Sequence, residues 1–398
     1  MTWRAGIGLA IAALAVCGVA TAQPVTVAIP PRWLSGIPPL GAPPPPEGRA
    51  RAGEEQLWAM VGREDRIAPQ DKPACAIADV DPLEAIARAA AEAQVVIINE
   101  AHDSPRDRAF IADVAVRLSD LGFDTYAAET LAHPVKPRAA TDAPRLGDGW
   151  YSQEPMFGAL LRAVQREGYA LVGYEDQDRA PPAADFVDDL NRREAAQASN
   201  LINRVFLDRR DAKVLIHVGY AHNDEEIARF PGAFLRPREV RWMARRLKDI
   251  LGVDPLTIDQ TTFTAARPGV CVTDAAGGVL PRGRDLHIAH PPLTFDRQRP
   301  TWRDDTGARA VEIPRRLQRA NERIIVEARA FSDPPDAVPA DRVLVDPGES
   351  IPLLLAPGRY KARAWTQDGK VSPDVTLTVR PAPRPPAVTR VNAAGATP

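Results

Sequence analysis

Glu100-Ala101-His102-Asp103 is the stretch of this chain with the clearest capacity for chemistry. A carboxylate two residues from a histidine, in extended geometry, can share its side, orient the ring and raise its basicity, as a general base or metal ligand requires. The stretch runs into Ser104-Pro105-Arg106-Asp107, a helix start whose N-terminal partial charge favours a nearby anion. His217-Val218-Gly219-Tyr220-Ala221-His222 is a second candidate. There Gly219 lets the backbone bend tightly or approach a ligand. His222 lies in the turn, whereas His217, inside an apolar run, reads as a structural or supporting histidine. Glu129 and Glu175 each directly follow a β-rich run. Converging carboxylates repel unless protonated, paired with cations or bound to a metal. Arg193, in Asn191-Arg192-Arg193-Glu194, is the candidate cation, with an exposed Arg–Glu helix face as the alternative.

Positioning these residues requires a particular arrangement of elements. Gln94–Asn99, Phe123–Ala128, Tyr169–Tyr174, Lys213–Val218 and Leu256–Ile258 are short apolar runs, each stopping at a polar or charged residue, and between them lie helix-length segments. That alternation predicts an α/β fold with a parallel or mostly parallel sheet flanked by helices. Ligands of such sheets sit beyond the carboxyl ends of the strands, where the candidate residues would meet. Asp81-Pro82-Leu83-Glu84 predicts a helix with an Asp cap and Pro at its first position. Ser104 and Asp107 are spaced as a capping box, with Phe110, Ile111, Val114 and Leu118 at helical periodicity behind them and Gly122 closing the helix. Glu154–Arg166, Ala184–Asp208 and Pro237–Leu251 are expected to be helices too. Asp259 reads as an ordinary strand end.

Residues 1–22 read as a signal peptide, with Arg4, an apolar stretch from Ile7 to Val19 and Ala20-Thr21-Ala22 before Gln23. Ordinary export to the periplasm or medium is expected. Leu14-Ala15-Val16-Cys17 offers a lipid anchor at Cys17 as the alternative, with the bulky Val16 a poor fit. No later stretch reaches the length of a membrane span. After cleavage Cys75 and Cys271 remain, and an oxidising compartment permits a disulfide between them; two buried thiols are the other reading. Residues 23–50 form a proline-rich linker and 381–398 a disordered tail. The α/β domain is expected over 51–275. A loop-rich extension follows over 276–380, with a small antiparallel β module marked by Pro347-Gly348, Pro357-Gly358 and Asp368-Gly369 turns. The module shows no ionisable cluster in sequence and is assigned a structural or docking role. The net charge of −2 gives no pointer to nucleic acid. A G-x-S-x-G elbow, a Walker loop and an H-E-x-x-H helix are all missing, which disfavours covalent serine catalysis and that zinc motif.

Val95-Val96-Ile97-Ile98-Asn99-Glu100-Ala101-His102-Asp103 resembles the G-E-x-H-D strand end of the superfamily that includes erythromycin esterases, ChaN-like haem-uptake lipoproteins and Tiki-type metalloproteases. Leu121-Gly122-Phe123 through Glu129 resembles its second strand, Gly219-Tyr220-Ala221-His222 is similar to its G-x-x-H motif, and Arg193-Glu194 with Asn200 to the helix before it. The resemblance covers about residues 80–260. The esterase branch implies His102 as base on water, with Glu100, Glu129 and His222 as partners and Glu175 and Arg193 toward a small-molecule or peptide substrate. The Tiki branch implies a divalent metal on Glu100, His102, Glu129 and His222, and the ChaN-like branch implies haem binding. Asn99 stands where the family has glycine, and the E-x-H spacing is closest to ChaN-like members. The expectation is a hydrolase activating water at the Glu/His rim, acting on an ester or amide bond.

Overall fold

In the computed structural model each of the five apolar runs holds a strand of one sheet. The structure describes residues 31–42, 49–135, 139–176, 185–230 and 238–381. The expected signal peptide, Cys17 and most of the expected tail lie outside them. The strands of the main sheet are β1 (Cys75–Ile77), β2 (Val95–Glu100), β3 (Thr125–Ala128), β4 (Ala170–Gly173), β5 (Val214–Gly219), β8 (Leu256–Asp259), β9 (Gly269–Asp274) and β10 (Leu286–Ala289). A hairpin, β6 (Ile227–Phe230) with β7 (Arg238–Arg241), stands apart. The sheet order is β1-β9-β10-β8-β2-β5-β3-β4. Six strands, from β10 to β4, run parallel, and β9 and β1 close the edge antiparallel.

β2 is buried at all six positions because it is covered on both faces, as a continuous β-branched run requires. Val96 and Ile98 pack into one core with α2 (Pro82–Ala90), α3 (Pro105–Ser119) and α4 (Pro155–Arg166). Val95 and Ile97 pack into the other with α5 (Phe186–Leu201) and α6 (Met243–Leu251). Each such side chain contributes about 1.5–3 kcal/mol by leaving water. Helix starts follow local chemistry: Asp81 accepts the Leu83 and Glu84 N–H groups at 2.9 and 3.1 Å, and Glu154 those of Met156 and Phe157 at 2.8 and 2.9 Å.

Several expectations are corrected. The Ser104–Asp107 box does not form as a reciprocal cap. Ser104 Oγ donates to Asp107 at 2.7 Å, and Asp107 reaches back to the Ala101 N–H at 3.0 Å, which pins the loop carrying His102. Residues 238–241 are strand rather than helix, because Asn191 of α5 bonds their backbone at Glu239 O and Arg241 N and they pair with β6. The main sheet also passes residue 275, since β10 sits between β8 and β9. Trp33, Leu34 and Ile37, in the expected proline-rich linker, are buried against Trp58 of α1 (Arg49–Met60), Ile325, Leu344 and Trp365. Cys75 and Cys271 are bonded, joining β1 to β9 across 196 residues. Among the described residues no helix is long and apolar enough to cross a membrane.

The antiparallel module appears as a four-stranded sheet of Ile324–Ala330, Asp341–Val345, Gly358–Thr366 and Val375–Val379. It does hold ionisable clusters. Glu327 lies across from Arg342 and Arg363 in register, and Asp341 is bound by Arg299 and Arg303, all of them buried. Sequence reading missed these because alternate strand positions look solvent-facing until helices and loops cover them.

Candidate functional site

Glu100 ends β2 fully buried, and its carboxylate organises one side of the rim. Arg108 Nε and Nη2 bind its two oxygens at 2.7 and 3.1 Å, and the His102 ring nitrogen Nδ1 lies 3.0 Å from Oε1. His217 Nε2 approaches Oε2 at 3.1 Å in ion-pair contact without hydrogen-bond alignment, while its Nδ1 meets the Tyr126 hydroxyl at 2.7 Å. Phe157 stacks on the His217 ring. Burial alone would raise the Glu100 pKa, but Arg108, His217 and His102 outweigh it and hold the carboxyl well below its ordinary range. Glu100 is therefore a fixed anion that orients His102 rather than a proton donor. Arg108 in turn donates to Glu154 at 3.1 Å and to the His102 carbonyl at 2.8 Å.

Glu129, after β3, organises the other side. One of its oxygens pairs with Arg193 and the other accepts the Gly219 N–H at 3.0 Å. Burial opposes the Glu129 charge, yet His222, Arg193, His102 and the Gly219 amide lower its pKa to about 2. Arg193 also grips Glu175, with Nε 3.1 Å from both carboxylate oxygens, and Nη1 lies 3.2 Å from His222 Nε2. The other ring nitrogen of His222 lies 2.7 Å from buried Glu194, whose second oxygen accepts the Met243 N–H at 2.8 Å. Burial disfavours a charged His222, but Glu194 and Glu129 raise its pKa despite Arg193.

Gly219 joins the two sides. A Cβ at that position would stand 2.5 Å from His102 Cε1, 2.7 Å from His102 Nε2 and 3.2 Å from Glu129 Oε2. The imidazole edge and the carboxylate thus converge over one bare Cα. The His102 side chain is 22% exposed, and no aligned bond reaches its Nε2 among the described residues. Tyr151 lies against the ring at 4.4 Å and Tyr220 meets it edge-on at 5.0 Å. Burial, Glu129 and Glu100 hold the Tyr151 phenol well above its usual pKa, so it stays a neutral donor.

Glu100, His102, Glu129 and His222 are thus gathered, and Glu175 and Arg193 join them. Asp259 is corrected: it is a buried anion that accepts from Asn99 at 2.8 Å and pairs with His287 at 3.0 Å. Asn99 also binds the Tyr220 carbonyl at 2.8 Å, so it braces one strand end against another. Arg108, Glu154, Glu194 and Tyr151 were not singled out from sequence as site residues. Arg108 and Glu194 carried a readable signal, a charge within the buried stripe of a helix: Arg108 with Ile111, Ala115 and Leu118, Glu194 with Val187, Ala198 and Leu201.

A divalent metal on Glu100, His102, Glu129 and His222 would need free carboxylate oxygens. Both Glu100 oxygens and both Glu129 oxygens are already held by arginines, histidines or an amide. Among the described residues no group of three or more His, Cys, Asp or Glu is placed to hold a metal ion. This donor set does not fit a divalent metal ion.

No protein-family model matches this chain, and no curated protein matches it. Solved structures give distant likenesses. The type III effector HopBA1 is 17% identical with a TM-score of 0.36, over 56% of this chain and 99% of that one. The C-terminal region of Pasteurella multocida toxin, described with a thiol-protease-like catalytic triad, is 12% identical with a TM-score of 0.32, over 55% and 28%. RRSP, a MARTX toxin effector domain from Vibrio vulnificus, is 13% identical with a TM-score of 0.29, over 52% and 37%. Scores this low carry no conclusion about activity. In this chain Cys75 and Cys271 are bonded to each other, so neither offers a free thiol.

Proposed function

We propose that this chain is an exported hydrolase, related to the erythromycin esterase, ChaN-like and Tiki superfamily, that activates water at His102 to cleave an ester or amide bond. The observation that carries the reading is the His102 ring: one nitrogen is held by a buried anion, and the other, on a side chain 22% exposed, faces Glu129 and Gly219. The Cys75–Cys271 bond supports an oxidising compartment.

In this reading Glu100 fixes the tautomer with the proton on Nδ1, leaving Nε2 as the base. Water attacks the substrate carbonyl carbon while its proton passes to Nε2. The charge that develops on the carbonyl oxygen meets Arg193 and the neutral Tyr151 hydroxyl. Collapse breaks the bond to the leaving group, which takes the proton back from the imidazolium. Neither Glu100 nor Glu129 supplies that proton, because both are held ionised. His222, clamped between Glu194 and Arg193, positions the arginine.

The test is a panel of esters and peptides offered to the whole protein in ¹⁸O-labelled water. Expected are one labelled oxygen in the acid product and loss of turnover in His102→Ala with an unchanged melting transition. Full turnover in His102→Ala across every cleaved substrate would overturn the reading.

A further inference from the structure

On the β8 and β10 side of the His102 loop, the rim opens into a cavity of about 410 Å³. It lies between the loop Ala101–Ser104 after β2, Phe263 and Thr264 after β8, His290 after β10 and the segment at 67–72. Three parallel strands therefore point their carboxyl ends at it, the usual place for a ligand in such a sheet. Ile67, Phe263 and Leu293 give it apolar walls. Lys72 and Arg106 balance Asp71 and Asp103 around it, which leaves Glu64 as the remaining carboxyl of the lining.

Two polar groups in that wall are placed for an uncharged partner. Glu64 is 4% exposed, and its Oε1 has no hydrogen-bond partner among the described residues. The Trp302 indole N–H is its near neighbour and lowers its pKa as a hydrogen-bond donor would, but it too lacks an aligned partner. A buried polar atom left unpaired costs about 1–3 kcal/mol, which a ligand hydrogen bond would recover. His290 is fixed in one tautomer. Gln260 donates its amide hydrogens to the carbonyls of Asn99 at 2.7 Å and Asp107 at 3.3 Å, so its Oε1 accepts from His290 Nε2 at 2.9 Å. That leaves His290 Nδ1 as a lone-pair acceptor. Burial, with Arg106 and Lys72, lowers the His290 pKa to about 3 and keeps the ring neutral.

We propose that this cavity binds an uncharged, ring-bearing small molecule through its hydroxyl group, which accepts from the Glu64 carboxyl and donates to His290. The proposal goes beyond the hydrolase reading and stands without it. Burial raises Glu64 to about 7; Arg299 and Arg303 oppose this and Glu154 assists it. Arg106 of α3 also acts on Glu64, whereas Asp65 and Arg66 on its own turn are engaged with Arg63 and Asp346. The carboxyl therefore donates below neutral pH and loses its proton above it.

The experiment titrates the full chain with 2-naphthol, following its fluorescence at pH 6 and pH 8. Expected at pH 6 is saturable one-to-one binding, equal in His102→Ala, and at least tenfold weaker in Leu293→Trp, whose indole fills the cavity while its melting transition stays unchanged. Binding by the natural sequence weakens about tenfold at pH 8, as ionisation of a group near neutrality dictates. Glu64→Gln, which keeps a donor, binds equally at both pH values. Absence of saturable binding at pH 6, binding untouched by Leu293→Trp, or the same pH loss in Glu64→Gln would each overturn the proposal.

Discussion

Two regions of this molecule bury a glutamate against arginine, and only one of them looks built for chemistry. At the rim, Glu129 pairs with Arg193 beside His222 and His102. In the C-terminal sheet, Glu327 accepts from Arg363 Nε at 2.7 Å and from Arg342 Nε at 3.4 Å. Both carboxyls are buried, and in both cases the cations outweigh burial and depress the pKa. The module ties its cluster to backbone, with Arg342 donating to the Met60 and Gln153 carbonyls and Arg363 to that of Pro335. Its unpaired guanidinium nitrogen, Arg342 Nη2, is buried away from any opening. The rim leaves an imidazole nitrogen without an aligned partner on a partly exposed side chain. Buried charge alone therefore marks structure, and a basic atom left unsatisfied at an opening marks a site.

The strongest way to break that distinction is to cut both clusters. His102→Ala should lower kcat/KM by about 10²–10⁴, the usual worth of a positioned base, with thermal stability unchanged. Glu327→Ala should do the reverse, costing about 3–5 kcal/mol in denaturant unfolding by stranding two buried guanidinium groups, with kcat/KM per folded molecule unchanged. If Glu327→Ala removes turnover from protein that is still folded, the module belongs to the site.

A smaller effect separates the regions by pH. The Glu129 pKa falls from an ordinary 4.5 to about 2 on folding. A depressed carboxyl contributes stability that is complete above the unfolded value and disappears as pH falls from about 4.5 to about 2, here on the order of 3 kcal/mol. The stability gap between the natural sequence and Glu129→Gln should shrink across that window. Urea unfolding at each pH measures it, and a gap that persists at pH 2 would show that Glu129 contributes by packing rather than charge.

Much of this was legible beforehand. The five runs became strands because continuous burial on two faces demands uninterrupted β-branched and apolar residues, and Glu100, Glu129, Glu175, His102 and His222 followed from where those runs stop. What escaped depended on tertiary cover. Arg108 looked like an ordinary early-helix residue until α3 lay on β2, and Asp259 looked like a loop boundary until β10 brought His287 beside it. Glu327 sat in a strand whose alternation signalled a wet face, which Met60 and Gln153 in fact cover through Arg342. Trp33 was hidden by the prolines around it, although an indole in a linker is itself a packing signal; Arg342 lies 4.3 Å over its ring.

The finest test uses two glycines, one from each region. A Cβ on Gly62 would stand 2.1 Å from the Arg342 carbonyl oxygen and 2.2 Å from Arg299 Nη1, and its φ of +66° already disfavours a side chain. A backbone carbonyl in a paired strand has nowhere to go, so Gly62→Ala should cost about 2–4 kcal/mol from overpacking and left-handed strain together. At Gly219 the space is equally short, but the obstacle is the partly exposed His102 ring, which can swing outward. Gly219→Ala should therefore cost only about 1 kcal/mol of stability, near the low end for overpacking. The displaced ring loses its approach to Glu129, and kcat/KM should fall at least tenfold, about 1.4 kcal/mol or more in the barrier. Gly219→Ala with full turnover would mean that the convergence of His102 and Glu129 is not what the reaction uses. A loss of folding as large as that of Gly62→Ala would mean instead that the rim is as closed as the module.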